Sequence, residues 1–227
     1  MIVRMGLLTR RPDVPVDAFR RHWRDVHGPL AAEFPGLRAY HQNHVVDRRH
    51  LAIDHKGGQW DIDGISELWF DDEAAMRAAI ASPAYRPIVE DSPEFLSDTR
   101  VLVARQTTVV PPADGPLIKR MSLLKRRPDI SAERFAHEWQ VIHAPLIAAF
   151  PGIAGYRQNL VVDREGVPGA SSPYEAVPVD GVVELWFRSE ADLVAAFRSP
   201  AADRSQAQAL DFIDEITPFL VEVHHVV

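Results

Sequence analysis

The chain has 227 residues, of which 46% are hydrophobic and 25% charged, with a net charge of -7. That composition excludes general disorder. The absence of a basic stripe argues against nucleic-acid binding, and the absence of an 18-residue apolar run excludes a transmembrane helix. With zero cysteines there are no disulfides, thiolate nucleophiles or iron–sulfur clusters; no signal peptide is read at MIVRMGLLTRRPDV, which predicts a cytoplasmic protein.

In chain order, Val3–Leu8 is a short apolar run and predicts a strand. Arg11-Pro12-Asp13 breaks it, and Pro15 and Asp17 mark a helix start. Phe19, Trp23, Val26, Leu30 and Phe34 then recur at helical spacing, with Pro29 expected to interrupt the helix because it lacks an N–H. Leu37–Val46 and Ile65–Phe70 read as strands flanking a long polar loop. Asp72–Ala81 reads as a second helix closed by Ser82-Pro83, and Val101–Thr107 as a last strand. This βαββαβ order is the ferredoxin-like pattern.

The pattern occurs twice. A shift of 116 superposes Arg4–Arg48 on Arg120–Arg164 with 24 of 45 positions identical, and DGISELWF from Asp63 meets DGVVELWF from Asp180. The expected division is a first domain at 1–109, a linker at 110–117 carrying Pro111, Pro112 and Gly115, and a second domain at 118–227. A ferredoxin-like unit leaves one sheet face bare. The expected fold is therefore α+β: two tandem ferredoxin-like domains pairing their sheets into an intrachain barrel or sandwich, with a cavity between the sheets.

The segments FxxxWxxxHxPL and FPGLRAYxQN, from Phe19 to Asn43 and again from Phe135 to Asn159, resemble the EthD family within the dimeric α/β-barrel superfamily. The resemblance covers nearly all of both copies. It implies paired ferredoxin-like units around a small-molecule cavity. Superfamily members include lactone isomerases, polyketide cyclases and dehydratases, monooxygenases and haem-dependent enzymes. A histidine acts as acid or base in lactone-isomerising relatives, which the resemblance transfers to His27.

His27 and His143 lie at the border of the helical apolar stripe, where an imidazole can be partly buried and still meet a cleft, as acid–base work requires. The alternative is a helix-ending histidine bonded to a backbone carbonyl. Glu67 and Glu184 sit on strands beside Trp69 and Trp186. Each is a general base if it faces the cavity, or a structural ion pair with Arg4 or Arg120. Asn43 and Asn159 could orient a substrate carbonyl. Strand alternation places Tyr40 and Tyr156 on the opposite face, so only one type of residue lines the cavity. Trp23 and Trp139 read as core.

His41, His44, His50, His55 and the His224-His225 pair match no recognised metal-ligand spacing. Haem through His27 or His143 follows from the resemblance alone. The copies diverge at His41/Arg157, His44/Leu160, Thr9/Lys125 and Arg38/Ala154, which suggests unequal half-sites with the first favoured. The expectation is a cofactor-independent isomerase, cyclase or dehydratase acting on a small apolar oxygenated substrate, with His41 and Trp69 among its binding residues. The alternatives are a non-catalytic carrier and a haem- or oxygen-using oxidoreductase. Further association of barrels stays open.

Overall fold

The computed structural model describes residues 1–227, the side chain of Val167 excepted. In the first copy, β1 (Ile2–Arg10) is followed by α1 (Val16–His22), a π-helical turn (Trp23–His27) and α2 (Gly28–Ala32), then β2 (Ala39–Asp47), β3 (Gly64–Phe70), α3 (Glu73–Ile80), α4 (Tyr85–Phe95) and β4 (Leu96–Val110). The second copy gives β5 (Ile118–Arg126), α5 (Ala132–His137), a π turn (Glu138–His143), α6 (Ala144–Ala148), β6 (Gly155–Val167), β7 (Ala170–Ser171), β8 (Gly181–Phe187), α7 (Glu190–Phe197), α8 (Pro200–Ala209) and β9 (Ile213–His225). Residues 111–117 run between β4 and β5. No helix among the described residues is long and apolar enough to cross a membrane.

Pro29 does not end its helix. The Gly28 N–H reaches the carbonyl of Trp23, five residues back, and this wide turn places the proline in the first turn of a renewed helix, where no N–H is required. The same turn rotates Val26 out to 45% exposure and leaves His27 at 8%. The expected place of Val26 in the apolar stripe is therefore corrected. Asp72 caps α3 by accepting the Ala75 N–H at 2.8 Å.

Two helices, α4 and α8, lie where the sequence reading had only a connection. In α4, Pro87 falls in the first turn, where no N–H is needed, whereas Pro93 lies inside the helix and leaves the Val89 carbonyl without its helical donor; the helix buries Ile88 and Phe95.

The strands run β4-β1-β3-β2-β9-β5-β8-β6, and β4 pairs with β6 to close an eight-stranded antiparallel barrel, with β7 appended to β6. The seams between copies are β2–β9 and β4–β6. Alternation sends Val3, Met5, Leu7, Met121, Leu123 and Phe219 into the barrel, where they pack as one core. Among the described residues the interior is packed by these side chains where a cavity between the sheets was expected. The cavities described below lie between the sheet and its helices.

The helix layer is seated by two tryptophans on two glycines. A Cβ on Gly64 would stand 2.3 Å from the Trp23 ring, and one on Gly181 2.3 Å from the Trp139 ring. Both rings are buried to 1% or less. Gly64→Ala should therefore cost about 1–3 kcal/mol through overpacking, read as a lower denaturant midpoint with an unchanged slope.

Candidate functional site

The sheet divides the predicted residues into two groups. Asn43, Glu67, Trp69 and His41, with Asn159 and Glu184, point into the barrel. Arg4, Arg120, Tyr40 and Tyr156 point to the helix side, where His27 and His143 also lie.

Inside the barrel, Glu67 is not paired with Arg4, nor Glu184 with Arg120, because each arginine leaves its strand on the other face. Instead Lys119 Nζ sits 2.7 Å from Glu67 Oε2, 2.7 Å from Glu184 Oε2 and 2.9 Å from Asn43 Oδ1. Asn43 Nδ2 donates to Glu67 at 2.8 Å, and Asn159 Nδ2 donates to Glu184 at 2.7 Å. Gln106 bonds Asn159 at 2.8 Å and takes the Trp69 indole N–H at 3.1 Å. The asparagines thus hold carboxylates and have no access to a ligand.

Both glutamates are fully buried and Lys119 is 3% exposed. Burial and the nearby Glu184 push Glu67 up to about 7, against the pull of Lys119. Burial also acts upward on Glu184, but Lys119, Asn159 and Arg157 outweigh it and hold that carboxyl below its usual range. Lys119 escaped the sequence reading because it resembles a surface residue at a strand start. The usable signal was that its counterpart in the first copy is Val3. Lys119→Met should cost about 3–5 kcal/mol, since it leaves buried carboxylates without a cation. Thermal or urea unfolding would register the loss.

At one end of this network His41 Nε2 lies 2.9 Å from His225 Nδ1 and edge-on to Trp69. Burial, then the His225 and Lys119 charges, hold His41 down to about 4.

On the helix side of the first copy, a cavity of about 460 Å³ opens between sheet and helices. His27 forms part of its wall, with Arg4, Tyr40, Ser66, Leu68 and Tyr85. His27 Nδ1 is 2.8 Å from Asp91 Oδ2 on α4, and His22 Nε2 is 2.9 Å from Asp91 Oδ1. A carboxylate on Nδ1 fixes the tautomer with its proton there, leaving Nε2 as the basic nitrogen. Burial lowers the His27 pKa, Asp91 opposes the shift, and His22 adds to it. The net effect holds the imidazole below its usual range, toward the neutral form. Asp91 escaped notice because α4 itself was not read.

Tyr40 OH accepts from Trp23 Nε1 at 3.0 Å and from Gln42 Nε2 at 3.2 Å. Both lone pairs are then used, and the O–H proton has no acceptor among the described residues. Burial pushes this phenol up to about 12, so it keeps its proton. Arg4 Nη2 is bound to Glu165 Oε2 at 2.8 Å, which brings a residue of the second copy to the first cavity.

The second copy repeats the layout without the space. Its cavity holds about 60 Å³. His143 Nδ1 bonds Gln208 Oε1 at 2.7 Å, and burial holds the imidazole down to about 4. Tyr156 is likewise raised by burial. Arg120 has no carboxylate partner. It donates to the His50 carbonyl at 2.6 Å over the Phe197 ring, and burial lowers it to about 9. The long loops cross over: Ile53 and His55 of the first copy wall the second cavity, and Gly166 and Pro168 of the second wall the first.

No group of three or more metal-ligating side chains occurs among the described residues. On the larger cavity the residue that could hold haem iron is His27 through Nε2, since metal-bound histidines generally carry a carboxylate or carbonyl on the other nitrogen, as Asp91 does here. The cavity at His143 is too small for a macrocycle.

The EthD domain model matches residues 11–99 and 127–216, and the chain belongs to the EthD family as a tandem duplication. No curated protein matches the sequence. Among solved structures, an anthrone oxidase-like protein is similar at TM-score 0.65 and 10% identity, over 99% of this chain and 92% of that one. A candidate monooxygenase from Lactobacillus acidophilus NCFM is similar at TM-score 0.58 and 12% identity, over 100% and 94%. A dye-decolorizing peroxidase from Bacteroides thetaiotaomicron VPI-5482 is similar at 0.51 and 8%, over 97% and 92%. These likenesses define the fold and leave the chemistry to the site.

Three histidines make stability depend on pH. His41, His44 and His143 are each held down to about 4 by burial. Their unfolded value is near 6.5, so between pH 6.5 and 4 the unfolded chain binds more protons and stability falls as pH falls. Glu67, raised to about 7, acts in the opposite sense but is one group against three. The melting temperature should drop between pH 7 and pH 4.5; a flat or rising profile would contradict the assignment.

Proposed function

We propose that the chain is a cofactor-independent acid–base enzyme acting on a small, largely apolar, oxygenated substrate in the cavity of the first copy. The observation that carries this reading is the His27–Asp91 pair on the wall of a roughly 460 Å³ cavity, a volume suited to a compact organic ligand. Leu68, Phe34 and Ile88 supply apolar wall, and Ser66, Tyr40 and Arg4 supply polar points.

In this mechanism a substrate carbonyl or lactone oxygen takes the Tyr40 O–H. His27 Nε2 accepts a proton from the adjacent carbon, and Asp91 stabilises the imidazolium through Nδ1–H. Negative charge moves onto the oxygen held by Tyr40. His27 then returns its proton to another carbon, giving isomerisation, or to a leaving hydroxyl, giving dehydration. Ring closure follows when the carbanion attacks a second carbonyl carbon of the same molecule, whose π electrons move onto oxygen, and that oxyanion takes the proton from His27. The half at His143 lacks both volume and carboxylate, and is read as structural.

His27→Ala should lower turnover of a lactone or polyketide-type substrate by about 10²–10⁴-fold while leaving the fold and ligand binding intact. Asp91→Asn should lower it in the same direction, and His143→Ala should leave it nearly unchanged. Full activity in His27→Ala would overturn the reading. Tight binding with no turnover across a broad screen would instead favour a carrier.

A second reading uses the same histidine. Haem held by His27 Nε2, with Asp91 behind it, would supply oxygen or peroxide chemistry to this cavity. A Soret band in the purified protein decides for it.

A further inference from the structure

His22 and His27 stand five residues apart. In a regular α-helix that spacing turns the two side chains about 140° away from each other. Here the π turn at Trp23–His27 lies between them, and both imidazoles reach the same carboxylate: His22 Nε2 on Asp91 Oδ1 at 2.9 Å, His27 Nδ1 on Oδ2 at 2.8 Å. Single π turns of this kind recur at functional sites. The Phe95 ring stacks on His22 at 4.7 Å and meets His27 edge-on at 5.0 Å, holding both rings in place. The side chain of His22 is 28% exposed, while that of His27 is 10% exposed and forms part of the cavity wall.

The second copy preserves the three-station chain and changes its chemistry. Glu138 replaces His22, and Gln208 replaces Asp91. Gln208 Nε2 donates to Glu138 Oε2 at 3.1 Å while Oε1 takes His143 Nδ1 at 2.7 Å. An amide orients the ring as well as a carboxylate does, but it gives an imidazolium no counter-charge. The geometry is thus shared by both halves, and the version with a carboxylate on the histidine lies beside the larger cavity.

We propose that His22 is a positioning residue for His27: its Nε2 holds one oxygen of Asp91 so that the other stays on His27 Nδ1, and the ring keeps one tautomer with Nε2 unprotonated. His22 itself does not line the cavity, so it acts on that space through Asp91 and His27.

The other titratable or charged groups on the cavity wall are Arg4 from β1, Tyr40 from β2, Tyr85 from α4 and Asp98 from β4. None is an imidazole, and Arg4 is already bound to Glu165.

The proposal rests on His27 as the proton-transferring group, yet its test needs no substrate. The His27 ring is read by ¹H–¹⁵N NMR at a fixed pH in the unsubstituted protein, in His22→Ala and in His22→Gln, where an amide keeps a donor on Asp91. In His22→Ala the ratio of Nδ1-protonated to Nε2-protonated His27 should fall about threefold, and His22→Gln should restore it. An unchanged ratio in His22→Ala, or a loss that His22→Gln does not restore, would overturn the role of His22. That failure is separate from full turnover in His27→Ala, which would overturn the functional reading instead.

Discussion

The barrel is held together around one cation. Lys119 comes from the second copy and contacts Glu67 of the first and Glu184 of the second at the same distance, 2.7 Å. Two carboxylates brought out of water into an apolar interior are costly unless a positive charge and hydrogen bonds accompany them. The asparagines at 43 and 159 and Gln106 complete that set. The polar cluster therefore constrains how the two sheets register, since β5 must deliver its lysine between β3 and β8. The flanking core, with Met5, Met121, Leu123 and Phe219, fills what remains. With the barrel core filled, the cavities walled by His27 and His143 lie on the helix side.

This constraint depends on the fusion of the copies. Two identical chains would place either no lysine or two at this position, whereas Val3 in one copy and Lys119 in the other place one. The same freedom separates the two outer cavities. Asp91 and Gln208 occupy corresponding places, as do His22 and Glu138, and the volumes differ from about 460 to about 60 Å³.

The duplication, the βαββαβ order and the barrel were legible because repeat identity and strand alternation are local or self-referential signals. His27 and His143 were legible as half-buried residues because they end an apolar helical face before a proline, but the cavities they line are on the helix side and not between the sheets, where the sequence reading put them. The partners were not. Asp91 and Gln208 sit on helices hidden by prolines at 87, 93 and 200, of which 87 and 200 fall in first turns that need no N–H and 93 lies near a helix end. Glu67 was correctly seen as needing a partner, but a residue can be paired only across the face it shares, and Arg4 lies on the wrong one. The side of the sheet on which space would remain depends on packing volume, which no pattern of residue types expresses.

The exchanged loops carry a topological consequence. Residues 53 and 55 close the cavity of the second copy, and residues 166 and 168 close that of the first. Neither half owns a complete container, so a molecule enclosed in the larger one is clasped by segments far apart along the polypeptide. Occupancy then opposes separation of the halves even if the strand between them is cut. The connecting residues 111–117 serve mainly to keep the two halves at high effective concentration while the chain first finds its closed form.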